Sequence, residues 1–203
     1  MDEVFPVYVQ FGLTWEAVEK ETLRAYLDRL SDPNIRPLAL LDMPVKSLYG
    51  AHWSTTGEEV PGSEDAIDSD YLPGRNVLLL GVTAVWCALH DIHRIALGSL
   101  LHNPYSDATP EFFSDYARLL SGALTHGIEV EAPFRGREKS DIIREHHHLP
   151  LELTLTCIAP KSGPTATDGP LQCGACLKCR ERHDAFVEAG LPDPTRYAVP
   201  LPL

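Results

Sequence analysis

Four cysteines near the C-terminal end constrain this chain more than any other feature. Cys157 is separated by fifteen residues from the stretch Cys-Gly-Ala-Cys-Leu-Lys-Cys, which contains Cys173, Cys176 and Cys179. Four thiolates complete the tetrahedral shell of a structural Zn²⁺ ion, and C-x-x-C turns direct their sulfur atoms at one ion. Gly174 lets the backbone turn tightly between them. The spacing therefore predicts a structural zinc site formed by these four cysteines.

Other uses of these cysteines are a redox dithiol, unlinked buried thiols and disulfides. A redox dithiol needs only two cysteines, and nothing else in the sequence indicates the oxidising compartment in which disulfides persist. The segment between the ligands, residues 158–172, is rich in Pro and Gly, and we expect a loop that returns the chain to the metal. The fifth cysteine, Cys87, stands in an apolar run and is predicted to be a buried small hydrophobe. This cysteine usage favours a reducing cytoplasm.

The charge and hydropathy of the chain exclude several function classes. A net charge of −12 and a pI near 5.1 argue against non-specific nucleic-acid binding, which depends on Lys and Arg at phosphates. No apolar run reaches the roughly 18 residues that a membrane span requires, and the N-terminal residues carry no signal-peptide pattern. The length of 203 residues suits one domain with a small appendage.

Strand-like and helix-like patterns alternate along the chain. The predicted elements are, in order, a strand at Val4–Phe11, a helix at Trp15–Leu30 with Thr14 as N-cap, a strand at Arg36–Met43 buried on both faces, a functional or lid loop at 44–73, a helix at Leu78–Leu89, a strand at Arg94–Leu100, a helix from Pro110 to Thr125, a strand at Ile128–Phe134 and a helix at Glu138–His147. This alternation predicts an α/β fold with a mainly parallel sheet flanked by helices.

A candidate anion site lies where the long loop meets the first buried helix. The stretch Pro73-Gly74-Arg75-Asn76 can offer backbone N–H groups at a helix N-terminus, which attract anions. Arg75 adds a guanidinium suited to phosphate or carboxylate. The alternative, a Pro-Gly turn followed by a surface arginine, stays open on the residues alone.

Two further residues follow predicted strands, where open α/β sheets bind ligands. Asp107, after the third strand, can hold a metal ion or a ligand amine, or can be an acidic turn residue before a helix. Lys139, after the fourth strand, can neutralise phosphate, or can be a solvated lysine at a helix start. The tract His146–His148 is interpreted as the end of a helix, because three adjacent histidines point in different directions.

The order of these motifs resembles the 7-cyano-7-deazaguanine synthase family (QueC, also called ExsB). The stretches that carry the resemblance are P-G-R-N at 73–76, D-A-T-P-E-F at 107–112, R-E-K-S-D at 137–141, L-P-L-E-L-T-L-T-C at 149–157, C-G-A-C-L-K-C-R-E-R at 173–182 and G-L-P-D-P-T-R-Y at 190–197. The similarity is close over residues 71–197 and looser back to residue 4. The cysteine block with its D-P-T-x-Y tail is the most specific part.

The resemblance implies a PP-loop ATPase fold of the adenine-nucleotide α-hydrolase type, which is Rossmann-like, over residues 1–150, and a zinc-binding region over residues 151–203. The implied enzyme is a C–N ligase that uses ATP, with Mg²⁺, to convert 7-carboxy-7-deazaguanine and ammonia to 7-cyano-7-deazaguanine. The resemblance also implies a homodimer.

Site roles follow from the same resemblance. Gly74, Arg75 and Asn76 are expected in the nucleotide site. Arg75, Asp107 and Lys139 are the expected catalytic residues, and the four cysteines are the expected zinc ligands.

The sequence also departs from the family pattern. The S-G-G-x-D-S stretch that grips pyrophosphate is absent, Gln10–Trp15 replaces the family's usual segment, and Thr109 stands where the family usually has Arg. We therefore expect either an N-terminally incomplete ATPase domain or a degenerate relative, and in both cases a chain that binds ATP poorly or not at all. A further hypothesis is a subgroup that keeps the ATP chemistry but has a changed acceptor. The rival hypothesis is a non-catalytic, zinc-stabilised module that binds a nucleotide-like ligand or a partner protein.

Overall fold

The structure is a computed structural model that describes residues 3–66, 68–163 and 169–201. The chain forms two compact units. The first, here the terminal unit, contains Met1–Asp70 and Ile143–Leu203, and the second, the central unit, contains Tyr71–Ile142. The predicted division between residues 150 and 151 stays a prediction.

The terminal unit contains one pair of strands and several helices. Its elements are β1 (Val7–Gln10), α1 (Glu16–Leu30), β2 (Ala39–Asp42), α2 (Lys46–Tyr49), α3 (Trp53–Thr56), a 3₁₀ turn (Leu151–Leu153) and α7 (Leu177–Ala189). Strands β1 and β2 are parallel, with Val7 opposite Ala39 and Gln10 opposite Asp42. A parallel pair needs a crossover connection, and α1 supplies it.

The N-terminus of α1 differs from the prediction. Gly12, with φ of +80°, ends the extended segment. The buried carboxylate of Glu16 then accepts hydrogen bonds from the backbone N–H groups of Phe11 at 2.7 Å and Gly12 at 2.9 Å. Trp15 takes the N-cap position without a side-chain cap, so the prediction of Thr14 as N-cap was wrong. The acidic side chain turns back onto the preceding loop, where its charge also suits the helix dipole.

Strand β2 is shorter and more exposed than predicted. Its residues alternate between half-buried and exposed, and Leu40 is 39% exposed. The prediction of burial on both faces was therefore wrong, because only one face of this strand packs against the unit.

The segment 44–73 is not a plain connection. It forms α2 and α3, and Trp53 of α3 stacks on Trp15 with ring centroids 5.6 Å apart. A role as a lid stays a prediction.

The central unit is built around a second parallel pair. Its elements are α4 (Arg75–Leu89), β3 (Arg94–Ala96), a 3₁₀ turn (Ser106–Ala108), α5 (Pro110–Leu124), β4 (Glu129–Glu131) and α6 (Lys139–His146), within which the division between the units falls. Strands β3 and β4 pair with Arg94 opposite Glu129 and Ala96 opposite Glu131. Leu80, Cys87, Ile95 and Phe113 belong to the core of this unit, which confirms Cys87 as a buried small side chain.

The predicted helices are confirmed more closely than the strands. Helix α5 begins at Pro110, and Thr109 caps it by accepting a hydrogen bond from Phe112 N at 3.1 Å. Helix α4 begins three residues earlier than predicted, because Gly74 adopts a left-handed conformation with φ of +68° that starts the helix at Arg75. The fold is thus α/β with parallel strands. None of the helices in the described ranges has the length and apolar character needed to cross a membrane.

Candidate functional site

The four predicted ligand cysteines converge in the terminal unit. One sulfur from each of Cys157, Cys173, Cys176 and Cys179 lies within 4.8 Å of the other three, and all four side chains are buried. The Sγ–Sγ distances are 3.5 Å for Cys176–Cys179, 3.8 Å for Cys173–Cys179 and 3.9 Å for Cys157–Cys176. We call this group the cysteine centre.

These distances fit a metal ion. A tetrahedral ion with Zn–S bonds of about 2.3 Å separates its sulfur ligands by about 3.8 Å. A disulfide would bring two sulfurs to about 2.05 Å, and all five cysteines of the chain are free. The cysteine centre can therefore hold a metal ion such as zinc, with four protein ligands.

Backbone N–H groups surround the sulfur atoms. Cys173 N donates to Cys157 Sγ at 3.1 Å, Cys176 N to Cys173 Sγ at 3.3 Å, and Gly174 N to Cys179 Sγ at 3.4 Å. Such donors favour thiolates over thiols and fix the direction of each ligand, as outer-shell partners do in metal sites.

The four thiols perturb one another strongly. The hydrogen bond with Cys157 lowers the pKa of Cys173 far below its usual range and lowers the pKa of Cys176 to about 7. The hydrogen bond with Cys173 raises the pKa of Cys157, and the one with Cys157 raises the pKa of Cys179. Some of the four thiols thus lose their protons only while others keep theirs, because negative charges that are buried close together repel one another. A bound cation removes this conflict.

The chain beyond α7 packs directly on the cysteine centre. Gly174 has φ of +75°, and a Cβ there would lie 1.9 Å from the carbonyl oxygen of Val199. Gln172 N donates to Arg196 O at 3.0 Å, and Val199 N donates to Cys173 O at 3.2 Å. Gly174 is thus required both for the turn and for the close approach of the C-terminal segment.

Residues 61–63 cover another side of the same turn. Ser63 N donates to Ala175 O at 3.0 Å, and Leu177 N donates to Pro61 O at 3.1 Å. Part of the predicted loop therefore supports the cysteine centre.

Helix α7, which the sequence analysis did not predict, begins at this site. Cys176 is its N-cap residue, and Cys179 lies in its first turn. The signal was present: the buried residues 179, 182, 186 and 189 follow a helical period, and Gly190 ends the helix with φ of +68°.

A buried arginine of α7 was also missed. Arg182 is 5% exposed, and it donates to Leu151 O at 2.7 Å, Thr154 Oγ1 at 2.8 Å and Thr195 Oγ1 at 2.5 Å. Burial lowers the pKa of its guanidinium. Arg182 thus fixes α7 to the segments before and after the cysteine centre.

The D-P-T-R-Y tail is held by its own side chains. Tyr197 Oη donates to Asp193 Oδ2 at 2.7 Å, and His183 Nδ1 lies 3.7 Å from the same carboxylate oxygen. Burial raises the pKa of Tyr197.

In the central unit, Asp107 and the start of α4 form a second arrangement. The buried Asp107 carboxylate accepts a hydrogen bond from Asn76 N at 3.0 Å, and Asn76 Nδ2 donates to Asp107 O at 3.0 Å. Together with Gly74 and the exposed Arg75 we call this arrangement the α4 cap. A carboxylate of the chain itself therefore occupies one of the N–H donors that was predicted to attract an anion.

Arg135 joins the loops that follow β3 and β4. Its guanidinium donates to Leu100 O at 3.0 Å, Leu101 O at 2.5 Å and Ala108 O at 3.2 Å. These contacts hold the Asp107 turn beside the loop that leads to Lys139, the half-buried first residue of α6. Sequence reasoning did not single out Arg135.

One polar atom in this region lacks a partner. Ser99 Oγ, in the loop after β3, is buried without a hydrogen-bond partner among the described residues. Such a group indicates a place for a ligand or a water molecule.

The predicted site residues thus fall into two groups. The structure brings the four cysteines together in the terminal unit, and Gly74, Arg75, Asn76 and Asp107 together in the central unit. Helix α6 ends at His146, as predicted for the histidine tract.

The fold and the site define a class of protein. It is the α/β protein with paired parallel strands and a buried four-cysteine centre. A family model described as "Queuosine biosynthesis protein QueC" matches residues 1–190. The chain belongs to the QueC family.

Three similar curated proteins carry the same name. The 7-cyano-7-deazaguanine synthase of Methanothrix thermoacetophila is 30% identical over 209 residues, which cover 96% of this chain and 88% of the relative. The protein of the same name from Syntrophotalea carbinolica is 29% identical over 206 residues, covering 94% and 86%. That from Stutzerimonas stutzeri is 29% identical over 166 residues, covering 78% and 72%. These relatives support a role in the biosynthesis of the queuosine precursor.

Proposed function

We propose that this protein is an ATP-dependent ligase that converts 7-carboxy-7-deazaguanine and ammonia to 7-cyano-7-deazaguanine. The observation that carries the proposal is the match of the QueC family model to residues 1–190, together with relatives named for this synthase. The buried cysteine centre and the linked loops after β3 and β4 are consistent with it.

The chemistry needs an activated carboxylate. ATP adenylates the substrate carboxylate and releases pyrophosphate, and ammonia then displaces AMP to give an amide. A second ATP adenylates the amide oxygen and releases pyrophosphate, and loss of AMP and of the two nitrogen-bound protons then yields the nitrile. Pyrophosphate and AMP leave as anions, so the site must offer positive charge and oriented N–H donors.

Residues of the central unit have the chemistry for these roles. The exposed Arg75 is proposed to bind phosphate, with Gly74 and Asn76 forming the helix start beside it. Lys139 is proposed to neutralise charge on the leaving group. Asp107 is proposed to hold the α4 cap in shape and to meet a substrate amine with its second oxygen.

Ser99 is a further candidate ligand contact. Its buried hydroxyl, which has no partner within the described part of the chain, lies in the loop after β3, which precedes the Asp107 turn. A hydrogen bond to substrate or nucleotide would satisfy this group.

The cysteine centre fits a structural zinc ion, which Cys157, Cys173, Cys176 and Cys179 would hold. Four sulfur ligands leave no open position for substrate, so the ion supplies folding energy rather than reaction chemistry. Its role is to fix α7 and the C-terminal segment to the rest of the terminal unit.

Several finer points belong to the same proposal. The fold is proposed to be Rossmann-like, of the adenine-nucleotide α-hydrolase type, with residues 1–150 as the ATPase-like domain and 151–203 as the zinc-binding region. Mg²⁺ is proposed to accompany ATP, and the active form is proposed to be a homodimer in the cytoplasm.

Turnover by the zinc-loaded chain tests the function. We would incubate it with ATP, Mg²⁺, ammonium and 7-carboxy-7-deazaguanine, and would follow AMP and the nitrile by mass spectrometry. Because the chain has no S-G-G-x-D-S stretch to grip pyrophosphate, we expect slow AMP release, which depends on both the carboxylate and ammonium. Binding of ATP without any product would instead support the non-catalytic module.

Replacing Arg75 tests the site. Arg75→Ala should leave folding intact and weaken ATP binding about tenfold, equivalent to about 1.4 kcal/mol. Arg118→Ala, which removes an exposed arginine paired with Asp115 on α5, is the matched control and should change nothing. Equal ATP affinity in the Arg75 variant and the wild type, measured by calorimetry, would remove Arg75 from the site.

A further inference from the structure

Three side chains converge at the end of the central unit opposite to the α4 cap. Asp91 and His93 lie between α4 and the start of β3, and His126 lies between α5 and the start of β4. One ligand atom from each lies within 4.8 Å of those of the other two. The proposed function uses none of them, since its residues lie at the start of α4 and after the carboxyl ends of β3 and β4.

Backbone carbonyls fix how both imidazoles are protonated. His93 Nδ1 lies 2.9 Å from Gly127 O, and His126 Nε2 lies 2.9 Å from Ile92 O. A carbonyl oxygen only accepts hydrogen bonds, so these two ring nitrogens carry the N–H. In the neutral rings, the lone pairs are therefore on Nε2 of His93 and Nδ1 of His126. Ligating histidines in metal sites are commonly oriented in this way.

One of these remaining acceptors, His93 Nε2, faces a carboxylate oxygen. His93 Nε2 lies 3.5 Å from Asp91 Oδ1, and the two imidazole rings stack with centroids 4.2 Å apart at an angle of 17°. A lone pair that faces a carboxylate oxygen is repelled by it unless a proton or a metal ion intervenes. A proton would place a charged imidazolium against the face of its neighbour, whereas a metal ion can use both rings and the carboxylate together.

We propose that Asp91, His93 and His126 form a second metal site, which binds a divalent transition-metal ion such as Zn²⁺, Ni²⁺ or Cu²⁺. Two imidazoles and one carboxylate are ligands that these ions share. The side chains of His93 and Asp91 are 60% and 91% exposed, so these two side chains can move to close the metal–ligand bonds and water completes the shell. The site therefore exchanges its ion readily, unlike the buried cysteine centre, and the ion connects the starts of β3 and β4.

The test is a calorimetric titration of the zinc-loaded protein with Ni²⁺, in which the cysteine centre is already filled. The expected result is one additional equivalent of Ni²⁺, with an affinity at least tenfold weaker in His93→Gln and in His126→Gln. His90→Gln is the matched control, because His90 lies on the same turn but stacks on Trp86. It should bind Ni²⁺ like the wild type.

A spectroscopic measurement gives an independent readout. With Cu²⁺ as the probe, electron paramagnetic resonance should show hyperfine coupling to two nitrogens in the wild type and to one in His93→Gln. Absence of an extra equivalent, or the same affinity in His93→Gln as in the wild type, overturns the proposal. The proposal is also overturned if the variant with both His147→Gln and His148→Gln loses the extra equivalent of Ni²⁺.

Discussion

The cysteine centre and the α4 cap satisfy buried negative charge in opposite ways. The cysteine centre gathers four sulfurs that cannot all ionise together without a cation. The α4 cap holds a single carboxylate, and a backbone N–H of its own chain already neutralises part of its charge. The first region can thus take up an ion to balance its charge, whereas a hydrogen bond within the chain meets part of the charge of the second. Replacing a residue should therefore cost far more folding stability in the cysteine centre than in the α4 cap.

Cys176→Ser should have the largest effect. It removes one of four ligands, and structural zinc sites in peptides contribute about 10–16 kcal/mol of apparent binding energy that is also folding energy. We expect loss of bound zinc, measured by elemental analysis, and a large fall in melting temperature.

Cys87→Ala is the control for this experiment. It removes a buried thiol of the central unit outside the cysteine centre and should keep the zinc, at a cost of about 1 kcal/mol. A Cys176→Ser protein with full zinc and the wild-type melting curve would contradict the assignment of the ligands.

Gly174→Ala should have the next largest effect. A Cβ there meets the Val199 carbonyl oxygen at 1.9 Å, so the C-terminal segment must move away. We expect about 1–2 kcal/mol from the left-handed backbone and a further 1–3 kcal/mol or so from overpacking. Limited proteolysis should then cut the segment after residue 192 faster.

Gly190→Ala separates these two contributions. Gly190 has φ of +68°, similar to Gly174, but a Cβ there would meet no atom of the described residues within 4 Å. Gly190→Ala should therefore lose only the stability that the left-handed backbone conformation costs. Equal losses of stability in the two variants would show that the contact with Val199 does not matter.

Asp107→Ala should cost less than either change at the cysteine centre. It leaves Asn76 N without its acceptor at the start of α4, which costs about 1–2 kcal/mol for a lost cap. Hydrogen exchange at Asn76 and Val77 should accelerate. Asp107→Asn keeps an acceptor oxygen and should lose about half as much.

The control for Asp107 is Asp115→Ala on the exposed face of α5. Its carboxylate is 74% exposed and pairs with Arg118, so its removal should be close to neutral. Unchanged exchange at the start of α4 in Asp107→Ala would mean that Asp107 does not cap this helix.

The smallest expected effect is a dependence on alkaline pH at Tyr197. Burial raises the pKa of Tyr197, so the folded state holds the phenolic proton more tightly than the unfolded chain does. The stabilisation is fully present below the ordinary pKa of about 10 and is lost as the pH rises above it. Urea unfolding at increasing pH should show this loss, and Tyr197→Phe should make it shallower. An identical pH profile in the variant would exclude Tyr197 as its source.

The sequence determined the cysteine centre because its geometry is nearly local. Three ligands lie within seven residues, and C-x-x-C spacing alone brings their sulfurs to one point. The helices α4 and α5 were predicted for a similar reason. The apolar run of α4 and the Thr109-Pro110 start of α5 are each signals that lie within a single helix. The helical period of α7 is also local, but this helix begins at Cys176, inside the cysteine block whose pattern predicts only a metal-binding turn.

Tertiary structure alone decided how distant polar groups meet. Asp107 and Asn76 lie 31 residues apart, and either alone fits an ordinary turn or surface position. The same holds for His93 and His126, which became neighbours only because β3 and β4 pair in parallel. Spacing along the chain fixes contacts within a helix or a metal-binding turn, but contacts between elements depend on packing, which brings together residues whose separation in sequence carries no signal.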